Sequence, residues 1–475
     1  MAASTSLTLP SRGEPQPSTI DVPVARRVDS EATSPTAAFV GLMALLLIEY
    51  LALGDDFPPL KAVRFTTIVS YVLFLKALAG TPRDLPTRPQ TKIALYFIVM
   101  SMASMMWAVI TSEAFDSIRP LVDYLALMIG TAYVVDRRER VQWLAITVAF
   151  IGAVLVFRNL NALGDVTRSM HFKASYFMGD GNDFSWGLNM MLPLAVFLVF
   201  SKQSLVVRLG GAAASVLCLM GIIGTSSRGA TIGLAAGALF AWLFVSTRRL
   251  LGGVLLALGV ALVVALAPSG YFARMQSVTS YEEDNSAQIR LQAWTAAVQM
   301  AMDYPFGVGG RNFGSAYGRF YRPAEGTGRI TYGANRWVAA HSIYFKVLGE
   351  YGLPGLFMLL LLIWVNLSMN QRSMRALRVE GRAPPIDPLW PGFLNMSLVA
   401  TAVSGTFLGG FDYPHLFLIS GLTMATKQIT DSWLARASRA AEGVAPSARS
   451  RPDALAPFVP QASPAAPATR FTYFD

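Results

Sequence analysis

Residues 250–268, LLGGVLLALGVALVVALAP, contain no charged side chain. At 1.5 Å per residue a helix over them is about 28 Å long, close to the roughly 30 Å of a bilayer's hydrocarbon core. The next stretch, 269–339, is hydrophilic. It ends where AHSIYFKVLGEYGLPGLFMLLLLIWVNL (340–367) opens a new apolar run. A chain that keeps its other loops short and spends about seventy residues in one place has built something there. The loop carries Arg290, Trp294 and the turn DYPFGVGG (303–310), then delivers His341 to the start of the next apolar helix. Histidine is the side chain whose unperturbed pKa puts its proton in play near neutral pH. The chain has three, at 171, 341 and 415.

Working outward from this segment, apolar runs recur at 37–53, 62–80, 93–110, 117–135, 141–157, 184–200, 205–223 and 229–247. After the loop they return at 342–367, 389–408 and 413–426. Together with 250–268 they predict an all-α, polytopic integral membrane protein with about twelve transmembrane helices. Composition agrees: 53% of the 475 residues are hydrophobic, 14% are charged, and mean hydropathy is +0.44. A soluble globular protein of this size does not look like that. Residues 1–36 and 431–475, rich in Ser, Thr, Ala and Pro, read as disordered cytoplasmic tails flanking one membrane domain, 37–430. The first of them lacks the apolar core of a signal peptide. The single Cys218 excludes an intrachain disulfide and reads as a packing residue.

Basic residues orient the chain. With the N-terminus inside, fourteen Lys and Arg fall in five short inner loops, among them Arg137, Arg138, Arg248, Arg249 and Arg375. Seven fall in the short outer ones. This bias puts both termini inside and the 269–339 loop, with all three histidines, outside. The net charge of +10 is then accounted for by inner loops and tails facing anionic membrane lipids, with no nucleic-acid partner required.

Three residues carry candidate chemistry. In GIIGTSSRGATIGLAAG (221–237), Arg228 stands at the outer boundary of a span, where its planar fork suits phosphate oxygens. An interfacial anchor is the other reading. In NSAQIRLQAWTAAVQMAMDYPFGVGG (285–310), Asn285 or Ser286 caps a helix that carries Ile289, Leu291, Trp294 and Val298 as partly buried anchors. Arg290 lies one turn before Trp294; its alternative is a solvated surface charge. His341 opens a helix with Tyr344 and Leu348 on one face. The breakers Gly352, Pro354 and Gly355 then separate an inclined helix, 341–351, from the span proper.

SSRGA (226–230), IRLQAWTAAVQMAMDYPFGVGGRNF (289–313) and AHSIYFKVLGEYGLPGL (340–356), in that order, resemble the O-antigen ligase and polymerase superfamily of bacterial envelope glycan enzymes. FMGDGNDFSWGLNMMLPL (177–194) is similar to its subgroup of O-glycosylation ligases associated with exosortase systems. The resemblance covers roughly residues 90–425. It implies a GT-C-like membrane fold and maps the family's two arginines onto Arg228 and Arg290 and its histidine onto His341. Family members usually have Asn where this chain has Ser342, and a small or polar residue where it has Arg311. These departures bear on acceptor choice more than on the chemical step. Tyr344, Arg311 and Glu350 are candidate supporting residues.

The implied activity is glycan transfer at the outer face of the bacterial inner membrane. The donor is a glycan on undecaprenyl pyrophosphate. The acceptor is a hydroxyl on a lipid A core, another glycan or a protein. In this reading the arginines stabilise the leaving pyrophosphate without a metal or cofactor, and His341 removes the acceptor's proton. Direct attack inverts the anomeric centre. A polysaccharide polymerase of the same superfamily is the alternative. Two rival classes are a metal-dependent glycosyltransferase, which would use Asp55 and Asp56 in the first outer loop, and a transporter. Transport would call for repeated halves and buried charges near the midplane. Only Glu49 and Lys76 are of that kind in the first half.

Overall fold

The computed structural model describes residues 35–80, 85, 87–164, 171–268, 270–276, 285–322, 338–379, 383–408 and 410–444. Among the described residues every regular element is helical. The long ones are α1 (Thr36–Tyr50), α2 (Phe65–Gly80), α3 (Pro89–Ser104), α4 (Thr111–Val134), α5 (Arg138–Arg158), α6 (Gly181–Phe200), α7 (Leu205–Gly224), α8 (Arg228–Phe240), α9 (Arg249–Leu266), α10 (Asn285–Asp303), α11 (Ile343–Leu377), α12 (Trp390–Ser404) and α13 (Pro414–Val444). Each except α10 falls on one of the apolar runs. The helical content is thus the expected one, and length and apolarity together single out a subset of these helices among the described residues. Six helices meet both conditions: α5, α6, α7, α8 with its π-turn to Val245, α9 and α11. The shorter α1 and α12, 15 residues each, reach only about 22 Å at 1.5 Å per residue.

Burial ranks these helices from centre to rim. In α6, 78% of the apolar window is buried, and in α9 none of it is. Leu250, Leu258 and Val264 of α9 are exposed, an arrangement that water penalises and hydrocarbon does not. At the centre α6, α8 and α12 are joined by buried hydrogen bonds. Asn189 Nδ2 donates to Ala230 O and Ser404 Oγ at 2.8 Å each, Trp186 Nε1 to Thr401 O at 2.8 Å, and Ser397 Oγ to Met190 O at 2.7 Å. In lipid, where backbones lack water as a partner, such bonds hold helices in register. The close approach of α8 to α12 comes from Gly233 and Gly237, while Gly229 on the same face meets Phe407 and Leu408 in the loop that follows. A Cβ at 233 would lie 1.8 Å from Ser404 Oγ and 2.6 Å from Ala400 O.

The interval 269–339 is structured where it is described. It holds α10 and a short helical turn, Phe313–Tyr321, which pack with Val338 and Ala340 into an apolar cluster. The buried face of α10 is made of Ala293, Ala296, Ala297 and Met300. This corrects the expected anchors: Ile289 and Trp294 are partly buried, but Leu291 and Val298 are exposed. Alanines win this face because the helix approaches its neighbour closely. Cys218 is buried against Gly152.

By contacts the chain divides after Asp431. The first unit holds everything above. In the second, α13 remains helical to Val444, where a disordered tail was expected from 431. Residues 1–34 and 445–475 lie outside the described residues, as does most of both expected tails.

Candidate active site

The start of α11 is built by a kink and a turn that fit each other. Gly352 breaks the helix with φ 68° and ψ −167°. Pro354 has no N–H to offer the carbonyl of residue 350. The freed carbonyls of Gly349 and Glu350 instead accept the backbone N–H groups of Val308 (2.9 Å) and Gly309 (3.1 Å) from the PFGVGG turn. Backbone meets backbone here. A Cβ on Gly352 would stand 1.9 Å from Pro305 O, and one on Gly307 would stand 2.3 Å from Glu350 C. The break expected at Gly352 is present, and the glycines of both motifs exist for the same contact.

At the opposite end of this segment, Ser342 caps α11, its Oγ accepting from Phe345 N at 3.4 Å. His341 immediately before it sits in the left-handed region at φ 46°. A second non-glycine outlier, Ser226 at φ 51°, precedes Arg228. Such backbone strain is held in place by its surroundings.

The loop after α12 ties the three candidates together. Ile343 N donates to Gly405 O at 2.8 Å. Trp294 of α10 stacks on Phe345 at 4.7 Å, lies 6.1 Å from Phe407, and donates from Nε1 to Ala340 O at 2.9 Å. Gly229, beside Arg228, packs on Phe407 and Leu408. The first turn of α8 and the first turn of α6 are joined by Ser227 Oγ donating to Asn182 Oδ1 at 2.9 Å. Asp180 caps α6, accepting from Asn182 N and Asp183 N at 2.7 and 3.0 Å. Arg228 and Arg290 are both half-buried.

The His341 ring keeps an exposed face, yet surrounding protein desolvates it. That burial, and then the positive charge of Arg290, lower its pKa from the ordinary value, while Asp180 pulls the other way. A lowered pKa favours the neutral imidazole, whose nitrogen lone pair is available. Asp180 is a site residue that sequence reasoning missed; its signal was the Asp-Gly-Asn-Asp helix start inside the quoted 177–194 motif.

The candidate supporting residues make contacts of their own. Tyr344 donates its hydroxyl to Ala402 O at 2.9 Å. Glu350 is nine residues from His341, about 13 Å along a helix. Its carboxylate accepts the backbone N–H groups of Arg311 and Phe313. Arg311, itself at φ 57°, approaches Asp412 at 3.6 Å, and Lys346 pairs with Asp412 at 2.5 Å. Burial alone would raise the pKa of Asp412, but Lys346 and then Arg311 hold it below the ordinary value. This cluster fastens the loop after the PFGVGG turn to α11 and to the start of α13. Of the acidic pair considered for a metal, Asp56 is in an ion pair with Arg158 at 2.7 Å. Among the described residues there is no group of three or more His, Cys, Asp and Glu side chains with metal-binding geometry. The other histidines have different settings: His171 lies in the segment before α6, and His415 is buried with Nδ1 3.1 Å from Tyr50 OH.

Residues 213–360, which include Arg228, Arg290 and His341, match the O-antigen ligase family. The match spans 148 of the 475 residues and marks that segment as similar to the O-antigen ligase/polymerase superfamily. No curated protein matches the chain.

Proposed function

We propose that the chain transfers a glycan from undecaprenyl pyrophosphate to an acceptor hydroxyl at the periplasmic face of the bacterial inner membrane, with Arg228, Arg290 and His341 as the working residues. The observation that supports this reading is the shared hub: the helices bearing the two arginines and Ile343, two residues after His341, all engage the 405–408 loop or its immediate partners. Two guanidinium groups and the N-terminus of α8 favour an anionic group at this position. A neutral imidazole beside them suits proton removal and not anion binding.

The step balances without a further reactant. The acceptor oxygen forms the new bond to the anomeric carbon as the carbon–oxygen bond to the pyrophosphate breaks. The acceptor proton passes to His341, and undecaprenyl pyrophosphate leaves with the electron pair. Arg228 and Arg290 stabilise the negative charge that builds on the leaving oxygen. Attack from the face opposite the leaving group inverts the anomeric centre. Holding both substrates in line supplies much of the remaining rate.

The test is transfer in vitro per unit of folded protein, with donor affinity measured separately. His341→Ala lowers turnover by about 10²–10⁴-fold, the scale of a positioned acid–base group, and leaves donor binding intact. Arg→Ala at 228 or 290 weakens donor binding and turnover together. Arg→Lys restores only part, because a point charge does not reproduce the fork. Near wild-type specific activity in His341→Ala overturns the base assignment.

A further inference from the structure

A cavity of 770 Å³ lies between α1, α2 and α4, within the rough 300–1,000 Å³ range of small-molecule sites. Its walls come from the last turns of α1, the first turns of α2 and the first half of α4. In the orientation read from the basic residues, all three are outer ends. The cavity therefore opens on the same face as His341.

We propose that this cavity binds the sugar headgroup of a membrane-anchored glycolipid acceptor; its role as acceptor site rests on the transferase reading above. Three features select that chemistry. First, carboxylates outnumber guanidinium groups: Glu49, Asp116 and Asp123 face Arg119 and Arg311. An excess of negative charge repels a pyrophosphate but accepts hydrogen bonds from sugar hydroxyls. Second, hydroxyl partners already engage these acids. Glu49 is hydrogen-bonded by Thr66 and Asp123 by Tyr71, with Arg119 3.7 Å from Asp123. They mark the geometry a polyol would adopt. Third, Leu45, Leu46, Ile118 and Val122 supply an apolar side to the same space, as a lipid-anchored sugar requires and a free one does not.

The cavity is joined to the candidate active site by contacts. Tyr176 on its rim has its hydroxyl 2.7 Å from Tyr124 OH, and its ring packs edge-on against Tyr413 at 6.3 Å. Tyr413 donates to Asp183 at 2.9 Å, in the helix start where Asp180 acts on His341. A second rim residue, Arg311, reaches Asp116 O at 3.4 Å and belongs to the cluster that anchors α11. An acceptor seated here extends along the tyrosines toward the imidazole.

The experiment uses the full chain in lipid nanodiscs with a photoreactive octyl glucoside as the probe, labelled peptides being located by mass spectrometry. Labelling is expected to concentrate in residues 45–50, 66–71 and 115–124. It should fall about tenfold or more in Glu49→Gln/Asp123→Asn, the scale of one lost charge-assisted hydrogen bond. Ser70→Trp fills the same space without touching a charge and should reduce labelling equally, which covers the case of a poorly folded double variant. Undecaprenyl pyrophosphate binding, measured on the same samples, should be retained. Labelling spread evenly over the lipid-facing helices, or unchanged in both variants, overturns the proposal. So does loss of undecaprenyl pyrophosphate binding in folded variants, which would make the cavity part of the donor site. Failure of the unaltered protein to bind undecaprenyl pyrophosphate refutes the roles of Arg228 and Arg290, while the labelling still decides whether the cavity takes a sugar.

Discussion

Replacing Gly352 by alanine tests whether the kink of α11 and the PFGVGG turn form one unit. At φ 68° and ψ −167° the residue occupies a region open essentially only to glycine, and a side chain there costs of order 1–3 kcal/mol. The new Cβ would also sit 1.9 Å from Pro305 O, so the turn must lift away. Lifting it breaks the two bonds from Val308 N and Gly309 N, at about 0.5–1.5 kcal/mol each. The combined cost is about 2–6 kcal/mol. The assay is the heating midpoint at which purified protein stops eluting as a single species, with the same change at Gly210 and Gly259 as controls. Neither control glycine has an atom within 4 Å of an added Cβ, and alanine favours a helix by roughly 0.5–1 kcal/mol. Gly352→Ala should lower the midpoint by about 2–6 °C, and the controls should leave it unchanged or raise it slightly. A Gly352→Ala protein that melts with the wild type refutes the interlocked kink and turn.

Arg290→Gln removes one of the two influences that lower the pKa of His341. The histidine pKa then rises, and the acidic limb of the rate–pH profile at saturating donor moves to higher pH; a limb that stays fixed or moves down contradicts the electrostatic contact. Glu325→Cys and Asp165→Cys should react with an impermeant thiol reagent added from the periplasmic side, and Arg138→Cys and Ala376→Cys should not. The reverse pattern overturns the orientation. Transfer by purified protein should survive EDTA, and Asp55→Asn/Asp56→Asn should keep most activity. Loss with EDTA and rescue by Mg²⁺ or Mn²⁺ favours the metal-dependent rival.

Hydropathy carried much of the fold. The apolar runs are long, and each becomes a helix because lipid and core both reward the same residues. The break at Gly352 was legible too, since Gly and Pro act through backbone geometry that no tertiary context alters. The face of α10 was not. Leu291 and Val298 look like anchors by hydrophobicity, but close approach to α11 selects alanines, and a steric preference leaves no trace in hydropathy. Neither was the Lys346–Asp412 pair, whose members are 66 residues apart, nor the cavity between α1, α2 and α4. Glu49 stood out as a charge in an apolar run, but its partner acids on α4 are brought to it only by helix packing. Asp180 was missed, and its influence on His341 depends on where α6 begins relative to α11.

The glycine stripe of α8 has a consequence for how variants at a distance behave. With hydrogen atoms alone separating it from α12, α8 has no room to slide or roll, so Arg228 at its tip is held like the point of a clamped rod. Gly237 lies about 13 Å from that tip along the axis. A methyl group at 233 or 237 has nowhere to go but into α12, and the displacement is delivered to the guanidinium. Random mutagenesis scored by activity should therefore find small-residue positions deep between helices as readily as the arginine itself. Such hits report the seating of the rod and not the chemistry at its end.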